Sequence, residues 1–236
     1  MYERIIGQTL GTITKIFLAP VGPLQYFIDS PGETHGHCLE QAYTCLEADG
    51  KAAVAKILKP YHSLLLKGLF WADRGWKNVN HFYSHPDKQG IIHWPGATAE
   101  CQFYFNKALS YFPRNIPKSM FFLGAALHLV QDMCVPHHSL GVIFDGHKEF
   151  ETWATQHCNR FPAAKGQYLT FTHAIQWIDH NARISETLFP LVALSKGASE
   201  SSYAQAAETL IPLTIATTAG FLNFAVNQLE NLTKTN

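Results

Sequence analysis

The segment 128-HLVQDMCVPHHSLGVIFDGHKEFETW-153 constrains the fold more than any other stretch of the chain. It sets four of the 13 histidines and several carboxylates among apolar residues at helical spacing, which is not how a solvated charged loop reads. A buried polar group needs a partner, and a buried charge needs a counter-charge or a metal. His128 and Asp132 stand four apart on a predicted helix, so both project from one face about one turn apart. His147 and Glu151 repeat the arrangement on the next predicted helix, and His137 and His138 lie in the turn between. Each pair offers an imidazole nitrogen and a carboxylate oxygen to one divalent cation. Two such pairs from packed helices predict a multi-ion centre whose nitrogen and oxygen ligands suit zinc. A single His-x3-carboxylate pair is more often a surface salt link or a satisfied core histidine. The second pair, the His-His turn and the apolar flanks shift the balance toward metal. Further residues of the same type lie upstream: His35 and His37 at a helix start, Asp73 at a helix end, and His81, His85 and His93 in the loop that follows.

The rest of the sequence supplies helices to carry such a centre and little strand alternation. Helices are predicted over about Glu3–Phe17, from Ser30 through Gly50, and over 51–75 with an interruption at Pro60. Others follow over about Ala97–Phe112, Lys118–Cys134, from near Asp145 through Cys158, Thr172–Leu194 and Ser201–Leu232. The span Gly75–Gly96 reads as an ordered aromatic surface loop. The predicted class is all-α, a single multi-helix domain over residues 1–236 with a divergent segment at 1–29.

Charge and cysteine usage narrow the function. Lys plus Arg and Asp plus Glu are both 18, so bulk charge gives no reason to expect a nucleic-acid groove and makes nucleic acid a disfavoured partner. Charged residues are 15% against 47% hydrophobic, the composition of a well-buried globular chain. The five cysteines are spread without a Cys-x-x-Cys pair, which predicts buried free thiols and no disulfide framework. The first twenty residues lack an uninterrupted apolar run of the signal-peptide kind, so with the free thiols they point to the cytoplasm. The run 208-ETLIPLTIATTAGFLNFAVNQL-229 is nearly uncharged, but Pro212, its threonines and its asparagines predict a buried core helix and no transmembrane segment.

The ordered motifs of the chain resemble those of the bacterial zinc-dependent phospholipase C family, which shares its all-helical fold with fungal zinc-dependent single-strand nucleases. The likeness runs from about His35 to the C-terminus. His128 and Asp132 with Pro136-His137-His138 match the family's His-x3-Asp and following Pro-x-His, which selects His138 over His137. The run 147-HKEFET-152 matches its His-x3-Glu. Asp73 with 81-HFYSHPD-87 matches an upstream Asp and His-Phe turn, selecting His81 over His85. The pair 34-TH-35 selects His35 over His37.

That resemblance implies two to three zinc ions. Asp73, His81, His128 and Asp132 would hold one, His138, His147 and Glu151 a second, and His35 with bridging Asp132 a third. In secreted family members an N-terminal Trp completes the third site. Here no Trp precedes Trp71, the matching position falls near Gln25, and His37, Asp29 or Glu33 are the candidate substitutes. Glu151, where the nucleases carry Asp, favours the lipase side. The implied activity is phospholipase C-type release of a phosphorylated head group, with Asp73 also the candidate to orient or deprotonate the attacking water. The expected partner is a phospholipid or another small phosphodiester, with transient membrane-surface contact. Trp76, Phe82 and Tyr83 are the candidate substrate-binding residues, as an aromatic wall able to hold a lipid head group. The alternatives are a nuclease-like or nucleotidase-like phosphodiesterase and a non-catalytic zinc-stabilised helical protein. By family the chain would be secreted, against the cytoplasmic reading of its N-terminus.

Overall fold

A computed structural model describes residues 33–74, 81–83 and 96–234, and every regular element among them is helical. The predicted helix at 3–17, the predicted helix start at Ser30, and Gln25, Asp29, Trp76, His85 and His93 fall outside the described residues. Helix α1 (Glu33–Ala48) ends before Gly50, whose φ of 74° lies in the left-handed region that favours glycine. Pro60 acts as expected: the chain runs through α2 (Ala52–Leu58), a 3-10 turn at Lys59–Tyr61 and α3 (His62–Ala72). Without an N–H, Pro60 cannot continue the α-helical ladder, and the tighter turn bridges the gap.

Helix α4 (Ala97–Tyr111) leads to α5 (Ile116–Asp132), the centre of the molecule. Asn115 caps α5 by accepting a hydrogen bond from the Lys118 N–H at 3.1 Å, and Pro117 sits in its first turn, where an N–H is not needed. Every residue from Leu123 to Asp132 is buried, because α5 packs against α3, α4 and α10. The α3–α5 crossing is set by two glycines. A Cβ on Gly68 would lie 1.8 Å from the Phe121 carbonyl oxygen, and one on Gly124 would lie 2.1 Å from that of Leu65. Only residues without a side chain permit backbones this close. The crossing brings the C-terminal end of α3, with Asp73 as its cap, beside His128 one turn beyond Gly124.

The remaining elements are α6 (Pro136–Leu140), α7 (His147–His157), α8 (Ile175–Ser185), α9 (Phe189–Val192) and α10 (Glu200–Lys234). The segment read as one helix over 172–194 is broken by a 3-10 turn at Glu186–Leu188, with Pro190 in the first turn of α9. The Pro-His-His turn is itself the short helix α6, started by Pro136 and stopped by left-handed Gly141. Helix α10 is long and apolar enough to cross a membrane, with mean hydropathy 1.5 over its best window, yet 83% of that window is buried against the protein. Its Thr214 and Thr217 hydroxyls donate to the carbonyls of Leu210 and Leu213, so they carry no unmet polarity into the core. The five cysteines are free and buried, as the sequence predicts.

Candidate metal centre

Eight candidate ligands from α1, α3, α5, α6, α7 and the segment 81–83 converge on adjoining clusters. In the first, His81 Nδ1 and His128 Nε2 lie 2.9 and 3.1 Å from Asp132 Oδ2, and 3.1 Å from each other. Asp73 Oδ1 stands 3.8 Å from His128 Nε2 and 4.0 Å from His81 Nδ1. The other Asp132 oxygen, Oδ1, lies 3.3 Å from His35 Nε2, so this carboxylate faces two groups of donors at once. In the second cluster His138 Nε2, His147 Nε2 and Glu151 Oε1 form a triangle with edges of 3.1, 3.1 and 3.3 Å. The His81 and His138 rings stand 6.4 Å apart between centroids, so the clusters share a wall.

These distances are also those between neighbouring ligand atoms around a zinc ion. Zinc bonds of about 2.0–2.1 Å at tetrahedral angles put neighbouring ligand atoms ~3.3 Å apart. Asp132 Oδ2 is buried beside two imidazole nitrogens and yet has no hydrogen-bond partner of acceptable geometry. The three groups of three within ligating reach are His35, His128 and Asp132; Asp73, His81 and His128; and His138, His147 and Glu151. Neither His37 nor Glu33 joins a cluster among the described residues.

For two of the imidazoles the electrostatics suit the same role, whereas at His81 and His147 burial is outweighed by Asp132 and Glu151 and the shift is upward. Burial pushes the His35 and His128 imidazoles below their ordinary value, which favours the neutral, ligating form. Burial would raise Asp132 and Glu151, but the opposing imidazoles overcome it and hold both carboxyls well below the usual range. Asp132 is held down chiefly by His128 and His138, and Glu151 chiefly by His147. Asp73 differs: burial and then the Asp132 charge push it up to about 6.

Outer contacts orient several rings. The His35 Nδ1 atom meets Gln131 Oε1 at 2.8 Å, and the Gln131 amide donates to the Thr218 hydroxyl at 3.0 Å, tying α1 through α5 to α10. The His147 Nδ1 atom lies 3.3 Å from the Ile143 carbonyl oxygen. His81 sits outside any helix but is held by its neighbours: the Tyr83 N–H donates to the His138 carbonyl at 2.8 Å, and the Ala97 N–H donates to that of Phe82 at 3.2 Å. His137, set aside by the sequence, is fully buried and stacks on His147 at 4.9 Å with ring planes 7° apart. It braces a ring that faces the cluster, and its adjacency to His138 was its only sequence signal. Asp145 reaches an imidazole only through its backbone, whose oxygen bonds to His137, while its carboxylate accepts from Ser195, and Glu149 faces solvent.

The aromatic wall requires correction. Phe82 is 5% exposed and stacks on His138, while Tyr83 is fully buried and its hydroxyl donates to Asp179 at 3.1 Å. Both rings are packing that fixes the segment behind His81, so neither offers an open face to a head group. Trp76 lies outside the described residues. A cavity of about 50 Å³, room for a few waters, runs between His35 and Glu151 along Thr34, Phe150 and Thr155, and so touches both clusters.

The described helices thus bring a buried set of imidazoles and carboxylates to the spacing of metal ligands. The family model for zinc dependent phospholipase C matches residues 34–187, more than half of the chain, and the chain belongs to that family. Among solved structures it is similar to the alpha toxin from Clostridium absonum, with 18% identity and a TM-score of 0.74 over 86% of this chain and 66% of that one. It is also similar to the Clostridium perfringens alpha-toxin of an avian strain, at 20% identity and a TM-score of 0.69 over 84% of this chain and 64% of that one. At these identities the likeness is one of fold, and this chain spans just under two thirds of each toxin's length. No curated protein matches.

Proposed function

We propose that the chain is a zinc-dependent phosphodiesterase that cleaves phospholipids in the manner of a phospholipase C. The convergence of eight imidazole and carboxylate side chains at ligand spacing, in a chain of this family, carries the reading. Asp73, His81, His128 and Asp132 would hold one zinc, His138, His147 and Glu151 a second, and His35 with Asp132 Oδ1 a third. Bound zinc would supply Lewis acidity, lowering the pKa of an attacking water and stabilising charge that develops on the phosphoryl oxygens.

The protein's own groups do the rest. Asp132 spans the first and third sites and so fixes their separation. Asp73 is the ligand with the least crowded carboxylate, 22% exposed and nearly 4 Å from its neighbours, which leaves it free to orient a water and accept its proton. Gln131 holds the His35 ring in one orientation, and the stacked His137 does the same for His147. The substrate phosphodiester lies at a lipid–water boundary, so turnover would require transient contact with a membrane surface.

Metal analysis of the purified protein, with assays on phosphatidylcholine vesicles, a dissolved chromogenic phosphodiester and single-stranded DNA, tests this. Two to three zinc ions and hydrolysis of the first two substrates are expected, with turnover lost in Asp73→Asn. Bound zinc with no hydrolysis would leave a zinc-stabilised structural protein. Cleavage of DNA alone would place the chain with the nucleases.

A further inference from the structure

Among the described residues the large apolar side chains left exposed are Ile57, Phe103, Leu140, Phe144 and Leu194, and three of these five lie on or beside one loop. Phe144 is 68% exposed, with Leu194 at 49% and Leu140 at 37%, and they are placed together by the loop 141–146: Phe144 is on it, Leu140 precedes it, and Leu194 is bonded to it. The arrangement is a built feature. Phe144 rides on the loop 141–146, between α6 and α7, and His137 braces that loop from within. The His137 carbonyl accepts from the Val142 N–H at 2.9 Å, and its Nε2 donates to the Asp145 carbonyl at 3.1 Å. Asp145 then takes a left-handed conformation, φ 68°, and both its oxygens accept from Ser195 at 2.7 Å. The Leu194 N–H donates to the Asp145 carbonyl at 3.1 Å, which sets Leu194 beside the loop.

The same loop joins two residues of the second cluster. Phe144 is three residues from His147 and Leu140 two from His138, so their backbones lie within about 11 and 8 Å of those ligands. Local charges give no net bias: Lys148 and Lys196 are exposed, but Glu149 and Asp145 stand beside them. An apolar projection with balanced charge suits the interfacial zone of a bilayer better than an anionic polymer.

We propose that Phe144, with Leu140 and Leu194, is the element that seats the protein on a phospholipid surface, holding the second metal cluster at the depth of the phosphodiester. The proposal rests on the phospholipid reading above. The surface would be apolar in its energetics, so raising salt would change binding to zwitterionic vesicles little.

Zinc-loaded full-length protein is compared with Phe144→Ser and, separately, Leu140→Ser, by flotation with phosphatidylcholine vesicles and by turnover of both vesicle lipid and the dissolved chromogenic phosphodiester. Phe144→Ser is expected to lower vesicle binding and vesicle hydrolysis about tenfold with turnover of the dissolved ester unchanged, and Leu140→Ser to do the same to a smaller degree. Equal losses on both substrates would show damage to the centre and overturn the proposal. So would undiminished vesicle binding, whether or not Phe144→Ser shifts a monomer–dimer equilibrium seen by sedimentation. If neither protein turned over the dissolved ester but Phe144→Ser still lost vesicle binding, docking would stand and the phosphodiesterase reading would fail.

Discussion

The two candidate metal clusters are built in opposite ways. His138, His147 and Glu151 lie within fourteen residues, on α6 and on one face of α7, and helix geometry alone nearly assembles them. The first cluster draws His35 from α1, Asp73 from the end of α3, His81 from the short segment 81–83, and only His128 and Asp132 from one helix. Its assembly requires α3 and α5 to cross at backbone contact, and α1 to dock where Gln131 can reach it. The local cluster should therefore survive damage that abolishes the long-range one.

The strongest way to break that contrast is at the helix crossing. Gly124→Ala puts a methyl group about where the Leu65 carbonyl stands, forcing α3 away from α5. A stability loss at the upper end of about 1–3 kcal/mol is expected in denaturant unfolding, with zinc lost from the first cluster before the second. Next comes the ligand comparison. Asp132→Asn should lower zinc content in both the first and third sites and cost more activity than the roughly 10–100-fold typical of an outer-contact mutation. Glu151→Gln should remove a single ion, so equal zinc losses in the two variants would show the clusters to be interdependent. Gln131→Ala is milder, weakening zinc at the His35 site by about 10–100-fold with the second cluster unchanged, as read by metal titration.

The smallest expected effect lies away from both clusters. Asp49, in the turn after α1, accepts from the Gly166 N–H and the Tyr168 hydroxyl, each at 2.7 Å, and these bonds hold its carboxyl below the ordinary value. A carboxyl whose pKa is lowered by folding stabilises the protein above its unfolded value of about 3.9, and the contribution disappears as pH falls through the lower folded value. The zinc-free protein should thus lose its advantage over Asp49→Asn only below about pH 4. A difference in melting temperature that persisted unchanged into stronger acid would refute the assignment.

How much was legible in advance follows the same division. Periodicity exposed the helices, and the i, i+4 pairs His128/Asp132 and His147/Glu151 fall in place because a helix repeats every 3.6 residues. Pro60 and Gly50 acted where local backbone chemistry said they would. The side chains of the longer 172–194 segment keep the helical period throughout, yet Pro190 and the 3-10 turn divide it. The aromatic residues near 82 depart from expectation for a different reason. Composition marks a ring as able to bind, but whether Phe82 stacks on His138 or faces solvent depends on the segment that Tyr83 and Ala97 pin down. Burial is a property of the packed chain.

By itself the sequence determined a helical fold with imidazole–carboxylate pairs at helical spacing, because those signals are carried by neighbours within one turn. Only the tertiary structure decided that Asp132 faces two groups of donors, that His137 is a brace, and that Phe144 projects into solvent. Each of these depends on which helices approach one another, and that is settled by contacts such as Gly68 against Phe121 and Gly124 against Leu65, far apart along the chain.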